Sequence, residues 1–314
     1  MRLEQLCAAS RVQIVAGKGG VGKTTVTAAL AVAAARTGMS VLIVEVEGKS
    51  GLATCLGVPA LTYEDAEVQP GITARTLTPD QALLEYLEDR GLKRISKRLV
   101  RSGAVDVIAT AIPGMKDILV LGKVKQLERA GAADLIIIDA PAAGHAVTFL
   151  TSARGLLDAV RVGPVRTQAQ DVMDLLSDPT RCRVVLVTLP EETPVNELVD
   201  TAFALEDRVG VSLAPVVVNA FPADLALAAH DLADDAAAAH VAIPEADRDA
   251  LDAAASFRHE RHELALEQAE RLAERLPLPQ IRLPFLFGEI GPAEIDQLAD
   301  ALADEVLRIP EADA

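Results

Sequence analysis

Residues 12–25 read Val12-Gln13-Ile14-Val15-Ala16-Gly17-Lys18-Gly19-Gly20-Val21-Gly22-Lys23-Thr24-Thr25. The first five form a short β-branched run that stops at glycine. Gly17 to Thr24 then satisfy G-x-x-x-x-G-K-[ST]. Val26–Arg36 is Ala-rich, with apolar residues at helical spacing, and ends before Gly38. Strand, glycine loop and helix in that order make a phosphate-binding loop. Gly17, Gly19, Gly20 and Gly22 allow backbone N–H groups to turn inward around phosphate oxygens. The helix start adds the positive end of its dipole, where Val21, Lys23, Thr24 and Thr25 surround the anion. Lys23 neutralises the outer phosphates, and the Thr24 hydroxyl is placed to ligate Mg²⁺. Lys18 puts a second cation inside the loop.

Working outward, further apolar runs occur at Val41–Val46, Leu135–Ile138, Val184–Val187, Val216–Val218 and Ile281–Leu283. Such runs lack alternation and are separated by helical stretches, which marks buried parallel strands. The expected class is α/β, a mostly parallel sheet flanked by helices on both faces. Two stretches read as helical excursions, about 80–130 and 224–276. The first holds Gln81–Arg101 and Met115–Ala130. The second holds a long segment opened by Pro244 and closed by Pro277. With no repeat of fixed period and no Ser/Gly linker, residues 1–314 read as one P-loop domain carrying both excursions.

The chain has 314 residues, half of them apolar, and no Trp, so its core is aliphatic. Its net charge of −16 is uneven: residues 224–314 hold 7 Lys+Arg against 21 Asp+Glu. The nucleotide-binding half is therefore near neutral, while the acidic end repels nucleic-acid backbones and anionic lipid. No nucleic-acid partner is expected. The N-terminus lacks the apolar core of a secretory signal, and no apolar run is long enough to span a bilayer. Cys7, Cys55 and Cys182 are scattered, with no C-x-x-C pair. This pattern reads as a reduced, cytoplasmic protein without a disulfide framework or zinc cluster.

Strand Leu135–Ile138 ends at Asp139, followed by Ala-Pro-Ala-Ala-Gly144-His145. A carboxylate here suits the Mg²⁺ shell of a phosphate-loop protein. GKGGVGKTT at 17–25 and DAPAAGH at 139–145 resemble the ArsA-like P-loop ATPases, the arsenite-pump-driving and tail-anchored-protein-targeting type with a deviant form of the loop. VEVEG at 44–48, IPGMKDILVLGKV at 112–124, TLPEETPVNE at 188–197, VVNAF at 217–221 and LPF at 283–285 extend the resemblance over nearly the whole chain. It is strongest to the paired paralogues of actinobacteria. The resemblance implies ATP and Mg²⁺ as cofactors and a nucleotide-sandwich dimer in which Lys18 reaches the partner's phosphates. It makes the segment after Asp139 a γ-phosphate-sensing switch. His145 reads equally as a loop-packing residue or a mechanistic one.

In that family an Asp after the second strand orients the attacking water; here spacing puts Glu47 on the position. The extra methylene moves the oxygens by about one bond length, and errors near 1 Å cost on the order of 10²-fold. That implies slow hydrolysis or a switch that mainly binds ATP, while Glu47 also reads as a solvated loop acid. After Val216–Val218 comes Asn219, followed by Ala-Phe-Pro in place of a guanine-reading N/T-K-x-D. By resemblance Asn219 contacts adenine, and Pro284 and Phe285 flank the ring.

Arg90, Lys93, Arg94, Lys97, Arg98 and Arg101 form a cationic run. It reads either as a docking face for an acidic partner, phosphate or membrane, or as a solvated helix face. His259 and His262 lie three apart on a helix, but nothing of metal-site spacing completes them. From Pro292 a helix carries Ile295, Leu298, Leu302, Val306 and Ile309 on one stripe and acids on the other face. An acidic face disfavours a direct membrane anchor. Two functions stand. One is a hydrolysing dimeric switch for transport or protein targeting, serving a membrane-protein client or pump. The other is a weakly hydrolysing nucleotide-dependent binding module or the regulatory half of a heterodimeric ATPase; the partner expected is a second copy in a homodimer or a paralogous ATPase in a heterodimer.

Overall fold

The computed structural model describes residues 1–46, 51–89, 91, 94, 114–141, 143–223 and 232–310, with backbone alone at 89, 143–146, 232 and 233. Its strands are β1 (Val12–Gly17), β2 (Val41–Val46), β3 (Ala66–Gln69), β4 (Ile72–Leu77), β5 (Leu135–Asp139), β6 (Cys182–Thr188), β7 (Ser212–Leu213), β8 (Val216–Phe221) and β9 (Gln280–Pro284). They form one sheet in the order β3-β4-β2-β5-β1-β6-β8-β9, with β7 also paired to β6. Every pairing is parallel except β3 with β4. The expected mostly parallel sheet is the observed one.

Side chains divide by parity between two cores. Val12, Ile14, Leu42, Val44, Ile136, Ile138, Val184 and Val218 face one side. There α5 (Met115–Ala130), α6 (Ala143–Ala159), α7 (Pro164–Leu176), α8 (Glu192–Val209) and part of α10 (Glu245–Arg275) pack. Val15, Val41, Ile43, Leu135, Ile137, Val187, Ile281 and Leu283 face the other side. That side is covered by α1 (Leu3–Cys7), α2 (Lys23–Arg36), α3 (Gly51–Leu56) and α11 (Pro292–Arg308). Two covered faces explain why the strands read as continuous apolar runs. The C-terminal stripe of Ile295, Leu298, Leu302 and Val306 is buried on this second face, in the same core as α2.

Strands β3 and β4 were missing from the sequence reading. β4 carries Arg75 in its middle, which breaks the apolar run. The arginine is nonetheless buried, because its guanidinium lies 4.6 Å from the Tyr63 ring centre and 3.0 Å from the Asp65 carboxylate. Both excursions are helical where described: α4 (Pro79–Asp89) and α5 in the first, α9 (Leu232–Ala238) and α10 in the second. The helix expected over Gln81–Arg101 starts at Pro79, and its described part ends at Asp89. The cationic run, Arg94 apart, lies outside the described residues.

The β9 edge is blunted. The outward Arg282 N–H donates to Glu305 Oε2 at 3.1 Å, and Pro284 has no N–H to offer. A capped edge of this kind resists pairing with another strand. On the α5 face, two buried charges are paired. Lys125 Nζ lies 2.8 Å from Asp171, and Glu128 accepts twice from Arg181, at 3.2 and 2.7 Å.

Candidate active site

β1 ends at Gly17, and the chain turns over 18–22 into α2. Gly17 must be glycine: a Cβ there would lie 2.3 Å from the Val187 carbonyl oxygen of β6. Gly20 and Gly22 both adopt φ near +88°, where a side chain is strained. Gly22 is the N-cap of α2, and a Cβ on it would meet Asn219 Nδ2 at 2.2 Å. Gly19 and Gly20 are exposed, while Val21 is buried and anchors the loop in the core. Lys23, Thr24 and Thr25 occupy the first turn of α2, where backbone N–H groups have no helical acceptors. An anion at this terminus gains those donors and the dipole.

Asp139 ends β5 beside β1. Its Oδ2 accepts from Thr24 Oγ1 at 2.6 Å. The structure thus joins two residues 115 apart in sequence at the mouth of the loop. The donor set is a hydroxyl and a carboxylate, hard oxygens of the kind Mg²⁺ prefers. Gly17 and Gly22 let the loop pass close to Val187 and Asn219, where a Cβ would collide. The residues present fit a Mg-bound polyphosphate.

Lys23 folds back over the loop, with Nζ 3.1 Å from the Lys18 carbonyl oxygen. Lys18 itself extends to α8, where its Nζ lies 2.6 Å from Glu197 Oε1. Glu197 falls inside the TLPEETPVNE stretch, where no local pattern pairs it with Lys18. Cys55 was likewise read only as a scattered thiol. It lies in α3, where burial first, and the Asp139 charge, push its pKa up against a hydrogen bond with Thr25.

Asn219 was expected at a strand end. Instead β8 continues to Phe221 through a bulge, with register shifting between Val218 and Phe221. Ala220 takes φ +53° within it. Bulges re-aim side chains next to sites. Here Asn219 turns to the loop, and its Nδ2 donates to the Val21 carbonyl at 3.0 Å. The two segments expected to flank the base meet at Phe221, whose carbonyl accepts from Phe285 N–H at 2.9 Å. Pro284 lines a cleft of about 340 Å³ with Phe221, Pro222, His262 and Arg282. Phe285 is 44% exposed and stands edge-on to Phe287 at 5.1 Å. His262 Nδ1 lies 2.9 Å from the Pro222 carbonyl oxygen, which makes it the protonated ring nitrogen. Glu47 lies outside the described residues, as does the side chain of His145. The structure therefore brings together Gly17 to Thr25, Asp139 and Asn219.

A second acid at this level escaped the sequence reading. Glu45 of β2 is 3% exposed and accepts from Thr76 Oγ1 at 3.2 Å. The one signal for it was a charge inside an otherwise apolar strand.

The model of the anion-transporting ATPases matches residues 10–162. The chain is 31% identical to ATPase BagA of Mycobacterium tuberculosis over 95% of its own length and 94% of the relative's. The chain belongs to the ArsA (anion-transporting) ATPase family. It is also 31% identical to an arsenical pump-driving ATPase of Acidiphilium multivorum, over 62% of this chain and 32% of that one. ATPase get3 of Schizosaccharomyces japonicus is 30% identical over 43% and 42% respectively. Membership supports a nucleotide-dependent ATPase. Among the described residues, no helix is long and apolar enough to cross a membrane.

Proposed function

We propose that the chain is a Mg-ATP-dependent ATPase that works as one P-loop domain and closes as a dimer, a switch for transport or protein targeting. The observation that carries this reading is the 2.6 Å bond from Thr24 to Asp139 at the mouth of the glycine loop. Those two residues would hold Mg²⁺, which would screen the phosphate charge when bound. Backbone N–H groups of 19–25 and the Lys23 ammonium bind the phosphates. Such fixed donors are worth most where charge builds up during transfer. Lys18 adds charge at the γ-phosphate, and the family's deviant loop makes that contribution to a partner. Glu47 orients the attacking water.

Base selection follows from Asn219. Its Nδ2 is committed to Val21, so the side chain offers Oδ1, an acceptor that suits the amino group of adenine. Pro284 and Phe285 supply flat apolar surface for the ring. The arsenical pump-driving relative supports a role beside a pump, and the resemblance to tail-anchored-protein-targeting ATPases implies a membrane-protein client.

A second reading is a weakly hydrolysing module that acts as the regulatory half of a heterodimer. It is favoured by the Lys18–Glu197 pair, which occupies Lys18 within its own chain. Steady-state ATPase assays over a range of protein concentrations test both. Turnover per chain that rises with concentration, and that Glu47→Gln lowers while ATP affinity holds, supports the dimeric enzyme. Turnover absent alone and restored by a paralogous chain supports the regulatory half. Undiminished turnover in Glu47→Gln removes Glu47 from the mechanism.

A further inference from the structure

One level of the sheet carries a row of polar side chains where its neighbours are aliphatic. Register pairs Thr76 of β4 with Glu45 of β2, and Glu45 with Asp139 of β5. Register partners in parallel strands point to the same face. That face is fixed by parity. Ile72, Ala74, Val41, Ile43, Leu135 and Ile137, two or four residues earlier on the same strands, all lie in the α2-side core. Glu45 and Asp139 therefore both face the start of α2, where Thr24 bonds Asp139.

Burial makes this arrangement informative. Glu45 is 3% exposed and Asp139 7%. Neighbouring strands are about 4.8 Å apart, so the row sets two carboxylates side by side out of water. Like charges so placed oppose one another, and burial adds a desolvation cost to each. The neutral hydroxyl of Thr76 orients Glu45 without balancing its charge. A sheet needing only to pack would hold an aliphatic residue here, as at Ile43 two residues before. A divalent cation at Thr24 and Asp139 offsets both charges. Mg²⁺ also keeps several of its waters, whose hydrogens need acceptors.

We infer that Glu45 is a positioning residue for the cation: held by Thr76, its carboxylate accepts hydrogen bonds from the water shell of the Mg²⁺ bound at Thr24 and Asp139. This rests on the Mg-ATP reading above and adds to it a residue that does not itself touch nucleotide. It gives Thr76, at the far end of the row, a part in holding the metal's surroundings.

The test separates metal from nucleotide. ATP affinity is measured by calorimetry in EDTA and across a Mg²⁺ titration, with Mn²⁺ binding followed by electron paramagnetic resonance. Glu45→Gln keeps size and the Thr76 contact but loses the charge. It should leave ATP affinity in EDTA within about twofold. It should raise the Mg²⁺ and Mn²⁺ midpoints by about tenfold or more, the loss typical of outer-shell partners. Thr76→Val, which leaves the carboxylate in place, should shift the midpoints less and in the same direction, and it serves if Glu45→Gln fails to fold. Unchanged metal midpoints in both variants overturn the inference. So does an equal loss of affinity in EDTA and in Mg²⁺, since Glu45 would then merely support the fold. A parent chain that binds no ATP under either condition removes the Mg-ATP reading and this inference together. A parent with a normal Mg²⁺ response that both variants share removes only the inference.

Discussion

Helices α2 and α10 follow opposite rules. α2 has 14 residues, and Val26 to Ala34 are buried without a break. The sheet lies under it, while α11 and α3 share its core on the outer side. Alanine lets such close neighbours approach, and a helix apolar all round is one buried all round. α10 has 31 residues, and its buried ones are Ala255, Ala265, Gln268, Ala269 and Leu272. Its first two-thirds carry Leu251, Phe257 and Leu264 to the surface. Packing in this fold is concentrated around α2. The phosphate loop is mounted on the most enclosed helix. The long helix, by contrast, is packed mainly through its C-terminal third, with Ala255 and the His262 contact to Pro222 before it, and bears little of the core.

The sharpest break in that contrast lies at the mounting of the loop. Gly22→Val places a side chain at φ +88° and against Asn219 Nδ2. Nucleotide binding should disappear in a calorimetric titration. Lys23→Ala keeps the backbone and should lower turnover by about 10²- to 10³-fold, the scale for losing one preorganised donor. The next contrast is within α10 itself. Leu272→Ala removes a fully buried side chain and should cost about 2–5 kcal/mol by urea denaturation. Phe257→Ser, 61% exposed before substitution, should stay within about 0.5 kcal/mol. Equal costs at the two positions would mean the projecting part of α10 is packed after all.

Packed and exposed charges should differ in the same way. Lys125 is buried, and its hydrogen bond to Asp171 holds that carboxyl below its usual range. A depressed carboxyl contributes stability above the unfolded pKa, near 4, and loses it as pH falls through the folded value. Asp171→Asn leaves Lys125 with the Gln168 amide, 3.3 Å away. It should cost about 1–3 kcal/mol at pH 7 and flatten the decline in stability below pH 4. Urea midpoints at several pH values check both.

The α2 end of this contrast was largely legible in the sequence. Residues 12–36 encode strand, loop and helix within one stretch, because glycine spacing and apolar runs are local signals. The Thr24–Asp139 contact followed from the needs of phosphate chemistry, though the residues are far apart. What stayed hidden depended on other strands. Arg75 masks β4, because its burial relies on Tyr63 and Asp65. The bulge that turns Asn219 to the loop depends on pairing with β9, and nothing within Val216–Phe221 announces it. Glu45 reads as a stray charge until register sets it beside Asp139. The projection of α10 was equally illegible, since its apolar residues fit a core face as well as an exposed one.

A small effect on stability is also expected at the pair that links the two regions. Lys18 and Glu197 lie 2.6 Å apart, yet their side chains are 40% and 44% exposed. Water and salt screen such a pair, so Glu197→Gln should change stability by less than about 1 kcal/mol and less still in high salt. The same turn of α8 is tied to α10, however. Asn196 accepts from Arg271 at 2.8 Å and from Arg275 at 2.6 Å, and Glu192 lies 3.5 Å from Arg271. The lysine of the loop is thus one residue removed from the fixed end of the long helix. Phosphate that draws Lys18 away from Glu197 need overcome only that weak contact, and α8 is the first element to register the change. Hydrogen exchange of 192–209 with and without Mg-ATP measures this. Protection that changes with nucleotide in the parent, and is already changed without it in Glu197→Gln, makes the pair a link between loop and helix. A nucleotide response in α8 that the substitution leaves untouched makes it a surface contact alone.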